Sequence, residues 1–159
     1  MVAAADIRDC SPSTLCAVEA FESFVALALE SEQFVVSEAL KFPVTQQTPS
    51  GLQKHGYEID LVGARADRLV LASVKSFFGS KGVYADHVAG RAPKTALNKR
   101  YALLNNPFVR DTVVQGAAAR FGYQLTQIEL RLYVGKFAGK AGTQERLSRS
   151  PWNVAAAVR

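Results

Sequence analysis

Apolar residues recur at helical spacing near the start of the chain, at Leu15, Val18, Val25 and Leu29. This spacing places them on one face of a helix, with polar residues opposite. Ser11 followed by Pro12 is typical of an N-cap and a proline at the first helical position. We therefore predict an amphipathic helix from Ser11 to about Ser31.

Three β-type segments follow this helix. Residues 34–44 are rich in β-branched and aromatic side chains and predict a strand that Pro43 closes. Residues 45–55 are polar and contain Pro and Gly, which favours a loop. Two apolar runs at 57–63 and 69–76 flank the polar residues 65–68, so we predict a β-hairpin.

The second half of the chain is predicted to be mainly helical. Residues 77–93 are punctuated by glycine and read as a loop, and 95–104 favour a helix. Asn106 and Pro107 mark the start of another helix that ends near Gly122. Residues 127–134 alternate between apolar and polar, which predicts a strand, and the tail from Gly135 is basic and without periodicity.

The predicted order is helix, strand, hairpin, helices, strand. This order indicates an α/β (α+β) domain with a mixed sheet of about four strands flanked by helices. A length of 159 residues suits one domain spanning 1–159, with its core at about 11–135 and a basic tail at 136–159.

Charge and composition narrow the class of partner. The net charge of +5 favours a polyanion such as nucleic acid, because Lys and Arg neutralise phosphates. No apolar run approaches the roughly 18 residues of a membrane span, so no membrane partner is expected. Residues 1–10 do not resemble a secretory signal, which leaves the cytoplasm as the expected location. Cys10 and Cys16 lack further ligands at zinc spacing.

The predicted hairpin brings ionisable side chains together. Side chains alternate across a strand, so Glu58 and Asp60 share a face. A turn centred on 66–67 places Asp60 opposite Ser73 and Glu58 opposite Lys75. Two carboxylates, a hydroxyl and an ammonium are then expected on one patch of the sheet.

The apolar residues of the hairpin fit the same register. Tyr57, Ile59 and Leu61 share the other face, and the register sets Ile59 opposite Val74 and Leu61 opposite Ala72. A slip by one residue would bury the charges and expose the apolar side chains. The apolar pattern and the predicted register therefore support each other.

This group of side chains suits phosphodiester hydrolysis. Carboxylate oxygens hold Mg²⁺, which polarises the phosphate and lowers the pKa of a bound water. A lysine nearby stabilises the developing negative charge. The alternative is a solvent-exposed sheet face with an ordinary cross-strand ion pair between Glu58 and Lys75.

Glu22 adds a further carboxylate. It falls within the apolar stripe of the first predicted helix, where a glutamate is costly unless something pairs with it. A helix packed on the sheet would aim Glu22 at the hairpin carboxylates, where a metal ion would compensate. The alternative places Glu22 at the wet edge of the stripe.

These residues resemble the PD-(D/E)XK nuclease superfamily, especially its Holliday-junction-resolvase-like and small bacterial restriction-endonuclease-like members. The resemblance rests on Glu22 in a helix, the strand sequence Glu-Ile-Asp-Leu at 58–61 and Ser-Val-Lys at 73–75. It implies an αβββαβ core and Mg²⁺-dependent cleavage of DNA, with Mn²⁺ as a substitute. Asp60 and Glu22 are then metal ligands, and Lys75 lies beside the attacking water.

Ser73 departs from the family pattern, which usually has Glu or Asp two residues before the lysine. A subgroup of restriction enzymes has Ser at this position and recruits a carboxylate from a following helix. In this chain Glu58, or Asp86 beside His87, is a candidate for that carboxylate. A degraded site that binds without cutting is a third option.

The leading hypothesis is a small metal-dependent DNA endonuclease with Asp60, Glu22, Ser73 and Lys75 in its site. Lys54 and His55 are candidate contacts to DNA, as are Lys99 and Arg100 on a later helix. A homodimer is expected if both DNA strands are cut. The rival hypotheses are a non-catalytic DNA- or protein-binding module of the same fold and an unrelated α+β protein with a chance motif.

Overall fold

The structure, a computed structural model, describes residues 12–48, 51–77, 81–139 and 153–156. Its helices are α1 (Pro12–Ser31), α2 (Ala85–Val88), α3 (Thr95–Lys99), α4 (Ala102–Asn105) and α5 (Pro107–Phe121), with a short 3-10 helix at Leu125–Gln127. Its strands are β1 (Val35–Thr48), β2 (Gly51–Arg65), β3 (Arg68–Lys75), β4 (Ile128–Val134) and β5 (Asn153–Ala156). The N-cap predicted at Ser11 lies outside the described residues, as does most of the predicted tail.

The five strands form one mixed sheet in the order β1-β2-β3-β4-β5. The first three strands are antiparallel neighbours, whereas β3, β4 and β5 run parallel. Helices α2 to α5 lie in the crossover between β3 and β4, as a parallel pair requires. The α/β class with a mixed sheet is confirmed, and β5 adds a strand inside the segment that we predicted as an irregular tail.

Apolar side chains cover both faces of this sheet. Helix α1 covers one face, where Phe21, Val25 and Leu29 pack with β3 residues of one parity, Val70, Ala72 and Val74. The opposite face is covered by the segment from α2 to α5, and its core includes Leu69 and Leu71 of β3. None of the helices in the described part of the chain is both long and apolar enough to cross a membrane.

The prediction of a loop at 45–55 is wrong, because residues 45–48 and 51–55 belong to the paired strands β1 and β2. Pairing between β1 and β2 continues through Lys41–Glu58 and Pro43–Gly56 to Thr48–Gly51. Pro43 does not end the strand, because β1 is the edge of the sheet, where a missing N–H group is tolerated. The ribbon is uncovered at its end, so its polar composition resembled that of a loop.

The helix predicted at 95–104 is broken into α3 and α4. The break falls between Lys99 and Ala102, and the backbone leaves helical geometry at Tyr101, whose side chain is buried. The predicted start of α5 is confirmed, since Asn106 accepts a hydrogen bond from the Val109 amide. Gly122 ends α5 in a left-handed conformation.

Candidate functional site

The predicted register of the β2–β3 hairpin is confirmed over its paired part. Leu61 faces Ala72, and the pairing continues to Arg65 opposite Arg68. Beyond Leu61 this ladder stops, whereas β2 stays paired with β1 as far as Gly51. The two strands therefore diverge at Asp60.

A local irregularity in β1 accompanies this divergence. Ala39, which lies between the pairs Glu38–Leu61 and Leu40–Ile59, has a φ of 51°. This conformation is unfavourable for a residue with a Cβ and persists only where surrounding contacts impose it. The strand alternation breaks at this point in the sheet, next to Asp60.

This break in the strand alternation also changes the face of the sheet on which each apolar residue of β2 lies. Leu61 packs with α1, whereas Ile59 belongs to the core on the opposite face. The prediction that Ile59 and Leu61 share a face is therefore wrong. A regular two-residue period cannot anticipate a backbone irregularity, and this one turns Asp60 towards β3.

The Asp60 carboxylate gathers three donors from β3. Its Oδ2 atom accepts hydrogen bonds from the Val74 amide at 2.5 Å, the Ser73 hydroxyl at 3.2 Å and the Lys75 ammonium at 3.0 Å. The predicted meeting of Asp60, Ser73 and Lys75 is thus present. All three of these bonds end on Oδ2, and none of the described residues donates a hydrogen bond to Oδ1.

The bond from Val74 explains how the fold tolerates the divergence of β2 and β3. A strand whose neighbour leaves exposes amide groups, and a buried amide without a partner is costly. The Asp60 carboxylate takes the place of the missing backbone carbonyl. The same contact fixes the carboxylate at the end of the paired hairpin.

The Lys75 side chain is also held in place by hydrogen bonds. Its ammonium donates to Asp60 and to the Val74 carbonyl at 2.9 Å, and its side chain is only 22% exposed. An ammonium has three N–H groups, so one remains for a water or phosphate oxygen. The backbone carbonyl of Lys75 accepts from the Gly135 amide, which ties the end of β3 to β4.

Glu58 does not lie opposite Lys75, so this part of the predicted register is wrong. Because β2 follows β1 beyond Leu61, Glu58 instead faces Lys41 and forms an ion pair of 3.3 Å with it. Both side chains of this pair are at least half exposed. Asp60 and Glu58 therefore turn to different neighbouring strands.

Glu22 lies on α1 beside the buried Phe21 and is itself half-buried. The donors that bind the Asp60 carboxylate come from β3. Within the described part of the chain, no three or more acidic, His or Cys side chains are grouped to hold a metal ion. The metal set of Asp60, Glu22 and Glu58 stays a prediction.

Asp86, the other candidate for the missing carboxylate, lies on α2. It forms an exposed ion pair of 3.0 Å with Arg91, and the Arg91 amide also binds the Asp86 carbonyl. These contacts fold the segment after α2 back on itself. Asp86 therefore has a salt-bridge partner in its own loop, and its recruitment to a metal stays a prediction.

Tyr57 is a neighbour of the site that the sequence analysis did not single out. Its hydroxyl oxygen accepts a hydrogen bond from the Leu103 amide at 3.0 Å. Burial raises the pKa of Tyr57 above its ordinary value, and the negative charge of Asp60 raises it further. The Tyr57 hydroxyl thus contacts α4 at Leu103, two positions after Tyr101.

The predicted DNA-contacting residues occupy two exposed surfaces. Lys54 and His55 lie on the uncovered end of the β1–β2 ribbon, and residues 43–56 contain no acidic side chain. Lys99 and Arg100 are exposed at the end of α3. Each surface is positively charged, as a phosphate backbone requires.

Comparison with known proteins adds little to this geometry. No family model matches the chain, and the comparison with curated proteins found no match. One similar solved structure is the crystal structure of a protein of unknown function, AF1548, at 13% identity and a TM-score of 0.37. The match covers 84% of this chain, which spans about half (55%) of that chain.

Proposed function

We propose that this protein is a metal-dependent endonuclease that hydrolyses phosphodiester bonds in DNA. The observation that carries the proposal is the hydrogen-bonded group of Asp60, Ser73 and Lys75 at the point where β2 and β3 diverge. A carboxylate and an ammonium in fixed contact at a partly exposed strand end supply both a metal ligand and a charge stabiliser.

The residues present fit a divalent cation that is bound through few protein ligands. Asp60 is 23% exposed, and its three hydrogen bonds end on Oδ2, so Oδ1 is the oxygen proposed to bind the cation. Mg²⁺ is commonly held by one or two carboxylates together with waters and substrate phosphates, and Mn²⁺ is expected to substitute. Glu22 is the proposed second ligand. When bound, the ion would polarise the scissile phosphate and lower the pKa of a coordinated water.

Lys75 has the proposed role of stabilising the transition state. Its contacts with Asp60 and the Val74 carbonyl hold the ammonium in place before substrate arrives. A preorganised cation stabilises developing negative charge without reorganisation during the reaction. Ser73 donates to Asp60 and orients its carboxylate, although it brings no negative charge of its own.

DNA is the proposed partner because basic side chains lie on exposed elements. The ribbon carrying Lys54 and His55 is uncovered, and a two-stranded β-ribbon is narrow enough to enter the major groove of DNA. Lys99 and Arg100 provide a second surface for the phosphate backbone. A homodimer would supply the two sites that cutting of both strands requires.

A non-catalytic module that binds DNA or a protein is the second candidate. The Asp60 carboxylate already satisfies the Val74 amide, which is a purely structural role. Ser73 replaces the usual acidic residue, and the described residues contain no group of three or more metal ligands. A degraded nuclease site would have these properties.

Cleavage of supercoiled plasmid and branched DNA with Mg²⁺, Mn²⁺ or EDTA separates the two candidates. Asp60→Asn should remove metal-dependent cleavage, because the amide is a poor cation ligand. Asp67→Asn is the matched control, since Asp67 lies in the turn at the other end of the hairpin and pairs with Arg65. It should cut like the wild type.

Binding without cleavage in either metal would favour the non-catalytic module. Cleavage by Asp60→Asn at the wild-type rate would contradict the proposed role of Asp60. A rate that falls equally in Asp60→Asn and Asp67→Asn would show that loss of charge, rather than loss of a ligand, explains the effect.

A further inference from the structure

A small cleft lies between the segment that precedes α2 and the turn between α3 and α4. Its volume is about 240 Å³. The side chains that matter for its chemistry are Phe77, Lys81, Tyr84, His87, Arg100 and Tyr101. This volume lies below the range of drug-sized pockets and suits a ligand no larger than a single nucleotide base with part of its backbone.

One wall of the cleft is fixed to the segment that follows β4. Val83 forms a parallel bridge with Phe137, through hydrogen bonds of 2.9 Å to the Lys136 carbonyl and from the Ala138 amide. Gly82 has a φ of 96°, and a Cβ there would lie 2.7 Å from the Lys136 carbonyl oxygen. Only glycine allows this close approach of the two backbone segments.

The opposite wall is held by two asparagine side chains. Asn98 accepts from the Ala92 amide and donates to the Gly90 carbonyl. Asn105 donates to the carbonyls of His87 and Asn98. These bonds join α2, α3 and α4, so the cleft is preformed and a ligand would lose little affinity to ordering of the protein.

The lining of the cleft combines aromatic rings with cations. The rings of Tyr84 and His87 are 5.0 Å apart, and Lys81 and Arg100 provide positive charge. Burial raises the pKa of Tyr101 to about 12, so its hydroxyl stays neutral at physiological pH. None of the described residues that line the cleft is acidic. Stacking surfaces with cations are the features that bind unpaired nucleotides.

The cleft lies next to the hydrogen-bonded group of Asp60, Ser73 and Lys75. Phe77 follows Lys75 by two residues, so their Cα atoms are at most about 7 Å apart. Tyr101 precedes Leu103 by two residues, and the Leu103 amide binds Tyr57, whose hydroxyl is within electrostatic reach of Asp60. The cleft therefore begins, at Phe77, within two residues of Lys75 along the chain.

We infer that this cleft binds an unpaired nucleotide adjacent to the scissile phosphate, so that the substrate is DNA with a single-stranded segment. The base stacks on Tyr84 and His87, and its phosphate contacts Lys81 and Arg100. Continuous duplex cannot offer its bases to a cleft of this size without unstacking them. The inference rests on the proposed nuclease function, because only a nuclease has a scissile phosphate at the adjacent Asp60 site.

The test measures binding of labelled oligothymidine and of a duplex of equal length by fluorescence anisotropy in EDTA. Loss of one stacking surface in Tyr84→Ala should weaken single-strand binding about tenfold. Duplex affinity should change less than about twofold, because duplex binding rests on phosphate contacts elsewhere. Tyr84→Phe keeps the ring and should bind like the wild type.

Equal weakening of single-strand and duplex binding in Tyr84→Ala would overturn the inference, as would unchanged single-strand binding. Circular dichroism of Tyr84→Ala, together with the retained affinity of Tyr84→Phe, separates an effect on stacking from unfolding. Because the assay contains EDTA, its outcome does not depend on cleavage. Selective single-strand binding in a protein that never cuts DNA would support the cleft and contradict the proposed nuclease function.

Discussion

Removal of the Asp60 carboxylate should destabilise the fold far more than removal of the neighbouring Glu58 carboxylate. Asp60 accepts hydrogen bonds from the Val74 amide and the Lys75 ammonium, and its side chain is only 23% exposed. Charge-assisted hydrogen bonds contribute about 1.5–3 kcal/mol each, and partial exposure reduces this value. Asp60→Ala should therefore lower the free energy of unfolding by about 3 kcal/mol.

The predicted order of variants follows from what each change leaves behind. Asparagine at position 60 keeps an oxygen for the Val74 amide but loses the charge that pairs with Lys75, so Asp60→Asn should cost about 1–2 kcal/mol. Glu58→Gln should change stability by less than about 0.5 kcal/mol, because the Glu58–Lys41 pair is well exposed.

Urea unfolding followed by circular dichroism measures all three variants at one pH and ionic strength. The slopes of the transitions should agree, so that differences in midpoint report stability. If Asp60→Ala and Glu58→Gln lowered stability equally, the argument that Asp60 replaces a strand partner for Val74 would be refuted.

Three further predictions use other features of the fold. Gly116→Ala in the middle of α5 should raise stability by about 0.5–1 kcal/mol in the same urea assay, since the added Cβ would lie 3.5 Å from Phe42, an ordinary contact. Tyr101→Phe should reduce the loss of stability between pH 10 and about 12 by up to about 2 kcal/mol. The pKa of Tyr101 is raised in the folded protein, so its contribution to stability is present below pH 10 and is lost as the pH rises to the folded-state pKa. An alkaline unfolding transition that is unchanged in Tyr101→Phe would contradict this. Ser73→Glu should strengthen Mg²⁺ binding in calorimetric titration and lower stability without metal, since it places a second carboxylate beside Asp60; weaker Mg²⁺ binding would refute it.

The sequence predicted the β2–β3 pairing because both strands carry an apolar period that only one register satisfies. Leu61 opposite Ala72 follows from that constraint, and it was enough to bring Asp60 to Ser73 and Lys75. The partner of Glu58 could not be predicted in this way. It depends on where β2 leaves β3, and the conformation of Ala39 beside that point has no residue-type signal.

The β1–β2 ribbon was missed for a related reason. Hydrophobic alternation indicates that one face of a strand is buried, whereas the residues at 45–47 and 52–54 of this ribbon are all exposed. Backbone pairing alone keeps these residues extended. The break at Tyr101 was missed because a helix-compatible composition does not reveal a buried side chain that turns the backbone.

The central claim, that Lys75 acts on the transition state of phosphodiester cleavage, is tested most directly by single-turnover kinetics of Lys75→Ala on a flapped DNA substrate in Mg²⁺. The account predicts a rate at least about 100-fold below the wild type, with DNA affinity in EDTA changed less than about threefold. Lys41→Ala, which removes an equal charge from the exposed Lys41–Glu58 pair, should cut at nearly the wild-type rate. Cleavage by Lys75→Ala as fast as by the wild-type protein would contradict the account.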